Sequence, residues 1–561
     1  MNWTRRQFLG AIAGAGAVAA LEGTRAGRLF GTPAFADGPW DETTVVKTIR
    51  ALGATGYVRL GDGGAGEPHL VRDEMAPARA GRETTRVSLL YFAHLTDIHI
   101  IDTQSPLRPE FLDPTSFSPS PAPFNSAWRP HEPLTTHVLE AMVRRVNRIP
   151  LSPLSGAAMN FVLAGGDAAD NAQLNEARWF VDILDGGRIT PDSGTKGVYE
   201  GVQRASYPNP AYWHPDDPSR DQYGIQFGFP LIPGLLEASI APFMAEGLRV
   251  PWLSMTGNHD TLWQGNCPTE GAAGVPFAAI ATSGAKPEGG ATPDREREIL
   301  KTRDWIAQHF ATPSRPGPVG HGFTQENLRS GTGYYARNEG NNVRLIVLDS
   351  VNPNGYANGS LDAAQMQWLE SELISCHSRY LTPAGDWATT GNTNRLVILT
   401  GHHSLYSMDN PLIGPVTTEP RVLGDQVTAL LARFPNIVLY VGGHVHENRI
   451  VAHPGPDGSY GFWEIATASH IDWPQQSRIL ELLDNKDSTL SVWVTVFDHV
   501  APASPGTGFD VIDLASISRE LSYNDPQSGA NGGKNFSALE KSKATGQPID
   551  RNVELILRAP F

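Results

Sequence analysis

Five apolar runs of strand length, in chain order, each stop at side chains able to donate an oxygen or an imidazole nitrogen. "LLYFAHLT" leads into Asp97, Ile98 and His99, and "NFVLAG" into Gly166 and Asp167. "PWLSMT" leads into Gly257, Asn258, His259 and Asp260, "LVILTG" into His402 and His403, and "LYVGG" into His444, Val445 and His446. Most of these runs are continuous rather than alternating, as expected of strands covered on both faces. Helical spacing fills the intervals at 134–149, 173–185, 295–310, 361–375 and 424–433. Such alternation predicts an α/β fold. Three late strand-like segments, "GFWEIATA", "RILELLD" and "LSVWVTVFD", follow one another and make the sheet mixed. In open α/β sheets, ligands gather at the carboxyl ends of strands, so donors far apart in sequence are expected to meet at one edge.

Each short motif alone reads equally well as a turn or a packed histidine, and only the ordered set is informative. Asp97, His99, Asp167, Asn258, His402, His444 and His446 comprise four imidazoles, two carboxylates and one carboxamide. That exceeds what one ion with open positions needs, and suits two ions sharing a bridging carboxylate. Mixed imidazole and carboxylate ligands suit Mn, Fe, Zn or Ni. The chain has two cysteines, Cys267 and Cys376. These cannot build a cysteine zinc site or a disulfide framework, and a single bridge between them stays open.

The motifs "DIH", "GDAAD", "GNHD", "GHH" and "GHVH" together resemble the signature of the calcineurin-like metallophosphoesterases, across roughly 87–500. "LDAAQMQWLESEL" resembles the helix between that family's third and fourth motifs. The resemblance implies a sandwich of two mixed β-sheets flanked by helices, with long loop inserts. It implies one ion on Asp97, His99, Asp167 and His446 and a second on Asp167, Asn258, His402 and His444, with Asp167 bridging. His402 is taken as the ligand over His403 by alignment, leaving His403 just behind the ions. A hydroxide shared by the ions would attack phosphorus, and His259 would face the phosphate beside Asn258 and stabilise or protonate the leaving oxygen. Asp260 would hold the His259 ring or cap the turn. Asp170 stands where purple acid phosphatases carry a tyrosinate, which argues against a purple enzyme and for a supporting role. The implied activity is hydrolysis of a phosphate ester, monoester or diester, on a small molecule or an envelope component. A non-catalytic, phosphoesterase-like binding protein of the envelope is the alternative of another class.

The first residues, "TRRQFLG", an apolar "AIAGAGAVAA" and the small residues Ala34-x-Ala36, resemble a twin-arginine export signal over 1–36. Its apolar run is short of the roughly 20 residues a membrane span needs. Export by the twin-arginine translocase to the periplasm, wall or medium is therefore expected, with no stable span. A net charge of −15 opposes nucleic acid as a partner. Around the 87–500 domain, 37–86 and 501–561 read as extensions, although "VELIL" near the end has the pattern of a strand returning to a sheet. Two stretches, 103–133 and 187–247, read as inserts. The second, rich in Tyr, Trp, Pro and Asp, is expected to wall the cleft and set substrate choice. His94 reads as a packed or supporting histidine, and His470 either lines the cleft or packs.

Overall fold

The computed structural model describes residues 39–112, 127–286, 290–340, 342–526 and 543–561. The export-signal reading of 1–36 lies outside the described residues. Two mixed sheets form the body. The first runs Leu70–Arg72, Val553–Arg558, Thr489–Asp498, Gln476–Asp484, Val87–Leu95, Phe161–Ala164 and Trp252–Ser254 in spatial order. The second runs Tyr335–Glu339, Val343–Val347, Leu396–His403, Ile437–Gly443, Gly461–Ala466 and Arg449–Pro454. This is the mixed α/β architecture expected from the sequence.

The continuous apolar runs are explained by what covers each face. One core joins both sheets, with Leu90, Val162, Leu253 and Val492 from the first and Leu345, Ile398, Val441 and Ile465 from the second. Leu139, Met142 and Val143 of helix Thr135–Val146, and Phe180 and Leu184 of helix Leu174–Asp185, join the same core. Their i, i+3/i+4 spacing puts these side chains on one face of each helix. On the second sheet, Ile346, Val397 and Leu399 turn the other way, onto Leu369 and Leu373 of helix Ala363–Ser375 and Val427 and Leu431 of helix Gly424–Leu431. The Asp362 carboxylate starts helix Ala363–Ser375 by accepting from the Gln365 N–H at 2.7 Å. Truncating a fully buried residue such as Leu163 to Ala would cost about 2–5 kcal/mol.

The three strands that lead into Asp97, Asp167 and Asn258 are adjacent and parallel in the first sheet. The two that carry His402 and His444 are adjacent and parallel in the second. All five carboxyl ends therefore reach the same edge of the sandwich.

The segments outside 87–500 and the 187–247 stretch take these places in the fold. Strand Val553–Arg558 pairs with Thr489–Asp498, and Leu70–Arg72 pairs with Val553–Arg558. Without them Thr489–Asp498, paired on its other side with Gln476–Asp484, would be an open sheet edge. Both "extensions" thus supply strands of the main sheet. The 187–247 stretch is a packed unit. Tyr207, Tyr212, Trp213, Tyr223 and Phe229 are buried together with Trp128 and with Leu514, Ile517 and Leu521 of helix Val511–Asn524. It meets 103–112 and 127–133, with Gln104 Oε1 accepting from the Glu200 N–H at 2.7 Å and Gln203 Nε2 donating to the Pro130 carbonyl at 3.0 Å.

Among the described residues no helix is long and apolar enough to cross a membrane. Cys267 and Cys376 are both free.

Candidate metal centre

The turns that follow the strands are strained at the donor positions. Asp97, His99, Asp167, His444 and His446 have φ of 52°, 50°, 49°, 70° and 55°, the left-handed region that side chains other than glycine seldom adopt. Such residues cost about 1–3 kcal/mol each and persist where the surroundings over-determine them. Five of the seven candidate ligands share this strain, which bends their side chains back toward one point. Close approach of the turns requires glycine beside them. A Cβ on Gly257 would stand 2.1 Å from the Asp167 nitrogen, and one on Gly443 2.3 Å from Asp97 Oδ2.

Three of the four candidate imidazoles have Nδ1 held by a fixed acceptor, leaving Nε2 for the centre. His99 Nδ1 meets Asp170 Oδ1 at 2.9 Å, His446 Nδ1 meets Asp472 Oδ2 at 2.6 Å, and His402 Nδ1 meets the Gly165 carbonyl at 2.9 Å. His402 Nε2 then lies 3.1 Å from Asp167 Oδ2 and 3.9 Å from Asp97 Oδ1. His99 Nε2 is 3.7 Å from Asp167 Oδ2, and His446 Nε2 is 3.3 Å from Asp97 Oδ1. His444 is held the other way round, with Nε2 3.2 Å from Asn358 Oδ1 and its backbone N–H on the Asp97 carboxylate at 2.9 Å. Asn258 Nδ2 donates to the Gly265 carbonyl at 3.1 Å, so Oδ1 is the free atom.

This donor set fits a metal pair. His99 Nε2 and Asn258 Oδ1 are buried without a hydrogen-bond partner, and His402 Nε2 faces the Asp167 and Asp97 carboxylates. Burying such atoms unsatisfied costs about 1–3 kcal/mol each. Asp97–His99–His446 and Asp97–Asp167–His402 each bring their donor atoms within 4.8 Å of one another. Asp167 Oδ1 accepts the His259 N–H at 2.8 Å, which leaves Oδ2 between His99 and His402, the position a bridge needs. His403 is close to His402 and His444, but its Nδ1 meets Ser350 Oγ at 2.8 Å and its Nε2 the Ala357 carbonyl at 2.8 Å. Neither nitrogen is left to ligate.

The charges follow from this packing. Burial works against a charged His402 ring, but Asp167 and Asp97 outweigh it and raise the pKa to about 9. For His446 burial again opposes, and Asp97 and Asp472 raise the pKa to about 10. Burial and the neighbouring histidines keep His444 neutral, and burial with the charge of His402 lowers His403 to about 3. Burial lowers His99, aided by His259. Burial disfavours ionised Asp97 and Asp167, yet His446 holds the first below the usual range and His402 with His259 holds the second well below it.

His259 is oriented by Asp170, not by Asp260. Its Nδ1 donates to the Asp170 carbonyl at 2.8 Å and lies 3.5 Å from Asp170 Oδ1. Burial opposes its charge, and Asp167 and Asp170 raise its pKa nonetheless. Asp260 accepts from three backbone N–H groups instead: Ala168 at 2.8 Å, Ala169 at 2.9 Å and Gly257 at 2.7 Å. It pins the Asp167 turn to the Asn258 turn, so the ring-holding role read from "GNHD" is corrected to Asp170. Burial and the Asp167 charge raise the Asp260 pKa to about 7.

His94 packs, its Nδ1 against Thr467 Oγ1 at 2.9 Å. His470 packs as well, with Nε2 on Ser477 Oγ at 2.8 Å and its backbone N–H on the Asp97 carbonyl at 3.0 Å. The sequence reading missed Asp472, two positions past the histidine it noticed. It also missed Arg108 and Arg129, which sit in a Pro-rich stretch without periodicity, and Asn358.

No protein-family profile and no curated protein matches the chain. Among solved structures it is similar to a dimetal phosphatase from Danio rerio, at 10% identity over 74% of this chain and 100% of that one, with a TM-score of 0.33. It is also similar to the purple acid phosphatase PPD1 from yellow lupin seeds, at 10% identity over 78% of this chain and 53% of that one, with a TM-score of 0.27. At these values neither likeness bears on what this chain binds or does.

Proposed function

We propose that the chain is a hydrolase of phosphoric esters that works with two transition-metal ions of the Mn, Fe, Zn or Ni kind. The observation that carries this reading is the pair of buried Nε2 atoms of His99 and His402 on either side of Asp167 Oδ2, that of His99 without a hydrogen-bond partner. Asp97, His99, Asp167 and His446 would hold one ion, and Asp167, Asn258, His402 and His444 the other. Such a pair, when bound, supplies Lewis acidity and a nucleophile at neutral pH.

The chain's own residues do the rest. Asp167 and Asp97 carry the negative charge that keeps the centre together. His259 is held at Nδ1 by the Asp170 carbonyl, its pKa is raised by Asp167 and Asp170 against burial, and its Nε2 is left for a proton passed to a leaving oxygen. Gly265 stands against that nitrogen, where a Cβ would come within 2.4 Å, so a larger residue there would block it. Asp260 keeps the Asp167 and Asn258 turns at a fixed spacing.

Export is part of the same proposal, supported by "TRRQFLG" and the small residues before Ala36. Replacing Arg5 and Arg6 with Lys should retain the chain in the cytoplasm.

The test is a panel of aryl phosphates, nucleotides, phospholipid head groups and phosphodiesters. Hydrolysis should vanish with a chelator and return with added metal. The ratio of monoester to diester turnover assigns the subclass. Metal-loaded protein that hydrolyses nothing in the panel would reject the enzyme reading in favour of a binding protein.

A further inference from the structure

Two buried arginines, Arg108 in 103–112 and Arg129 in 127–133, grip the carboxylates that stand behind two of the candidate imidazoles; Arg108 Nη1 also donates to Gln264 Oε1 at 3.3 Å. Arg108 Nη1 pairs with Asp170 Oδ2, the carboxylate whose other oxygen holds His99 Nδ1. Arg129 grips Asp472 with both Nε on Oδ1 at 2.6 Å and Nη2 on Oδ2 at 3.1 Å, and Asp472 Oδ2 holds His446 Nδ1. Glu132 ties the two together, accepting from Arg108 Nη2 at 2.7 Å and from the Arg129 backbone N–H at 3.1 Å. His131 adds an anchor, its Nε2 on the Ile471 carbonyl at 2.6 Å. Arg108, Glu132, Asp170 and Asp472 are all buried, and Arg129 is 6% exposed.

His99 and His446 belong to the same proposed ion. The other ion's ligands have neutral holders from other parts of the chain: the Gly165 carbonyl for His402, Asn358 for His444 and the Gly265 carbonyl for Asn258. A carboxylate behind an imidazole fixes the ring and raises its basicity, and such partners are worth about 10- to 100-fold in metal affinity. A guanidinium fixes the carboxylate in turn, because its planar fork matches the carboxylate's two oxygens.

We propose that residues 103–112 and 127–133 form a clasp that sets the affinity of the His99/His446 ion alone, with Arg108 and Arg129 as its positioning residues. The inference rests on the two-ion reading. The clasp makes the two sites unequal, one gripped through charged pairs and one through neutral ones.

The experiment is a chelator-competition titration of the full chain with zinc, read as two dissociation constants by elemental analysis of the protein-bound fraction. Arg129→Met and Asp472→Asn should each weaken one ion by about 10- to 100-fold and leave the other within about 3-fold. Arg129→Lys should restore part of the loss, since it returns the charge but not the fork. In a His446→Ala background, Arg129→Met should no longer change the affinity of the ion that remains. Leu521→Ala, in the apolar core behind the segment, controls for destabilisation, and should lower the melting temperature without splitting the affinities. If Arg129→Met fails to fold, Asp472→Asn and Arg129→Lys carry the test. Equal weakening of both ions, or no weakening of either, would overturn the clasp. Wild-type protein that binds fewer than two ions would instead overturn the two-ion reading, so the two failures are distinguishable.

Discussion

Adding metal to the metal-free protein at pH 7 should release about two protons per chain, and the structure says which ones. A histidine must be neutral to ligate, so metal competes with any proton it holds. His402, at about 9, and His446, at about 10, are both charged at pH 7. His99 and His444 are pushed down and are already neutral, and Asp97 and Asp167 are held ionised. Asn258 has no proton to lose. At 1.36 kcal/mol per pH unit, deprotonation costs about 3 kcal/mol for His402 and about 4 kcal/mol for His446 at pH 7. The sign is definite: the two-ion binding constant should fall about 100-fold for each pH unit below 9, tenfold per proton, as follows from 1.4 kcal/mol per factor of ten. Asp260, at about 7, contributes a further fraction once a cation offsets the Asp167 charge that raised it. Isothermal titration calorimetry in buffers of different ionisation enthalpy reads the proton count from the slope. A slope near zero at pH 7, with affinity independent of pH between 6 and 8, would show that His402 and His446 are not the ligands.

Asp167→Asn should empty or halve the metal content, because its Oδ2 faces ligands of both ions. Asp260→Asn should keep metal more nearly intact but lose about 1–3 kcal/mol of stability, as its amide meets the Gly257 N–H with a donor; metal analysis and urea unfolding of both variants check this. His259→Ala should retain both ions and lose about 10²–10⁴-fold in turnover. The loss should shrink for aryl phosphates with acidic leaving groups, and an emptied metal site would make His259 a ligand. Trp213→Ala should cost about 3–5 kcal/mol, since the ring is fully buried in the 187–247 core; a thermal shift near zero would show that this cluster does not hold the stretch together.

The centre was legible because strand ends concentrate donors. Apolar runs such as 437–443 declare themselves by continuity, and the residue that follows is fixed by the turn, so Asp97, Asp167 and His444 could be read in order. What the sequence hid was every contact between segments. "GNHD" puts Asp260 beside His259 in sequence, yet the turn aims its carboxylate at the backbone of 168, 169 and 257 and leaves the imidazole to Asp170. Arg108 and Arg129 carry no periodic signal, because their task is to neutralise carboxylates that arrive from Asp170 and Asp472. Strand Val553–Arg558 was legible as an apolar run returning to a sheet, but its pairing with Thr489–Asp498 and Leu70–Arg72 was not.

The most direct test of the two-ion centre is the metal content of the purified chain after mild isolation and after reconstitution, measured by elemental analysis against protein concentration. About two transition-metal ions per chain are expected, falling to one or none in Asp167→Asn. A wild-type value of one that does not rise on reconstitution would contradict the two-ion centre.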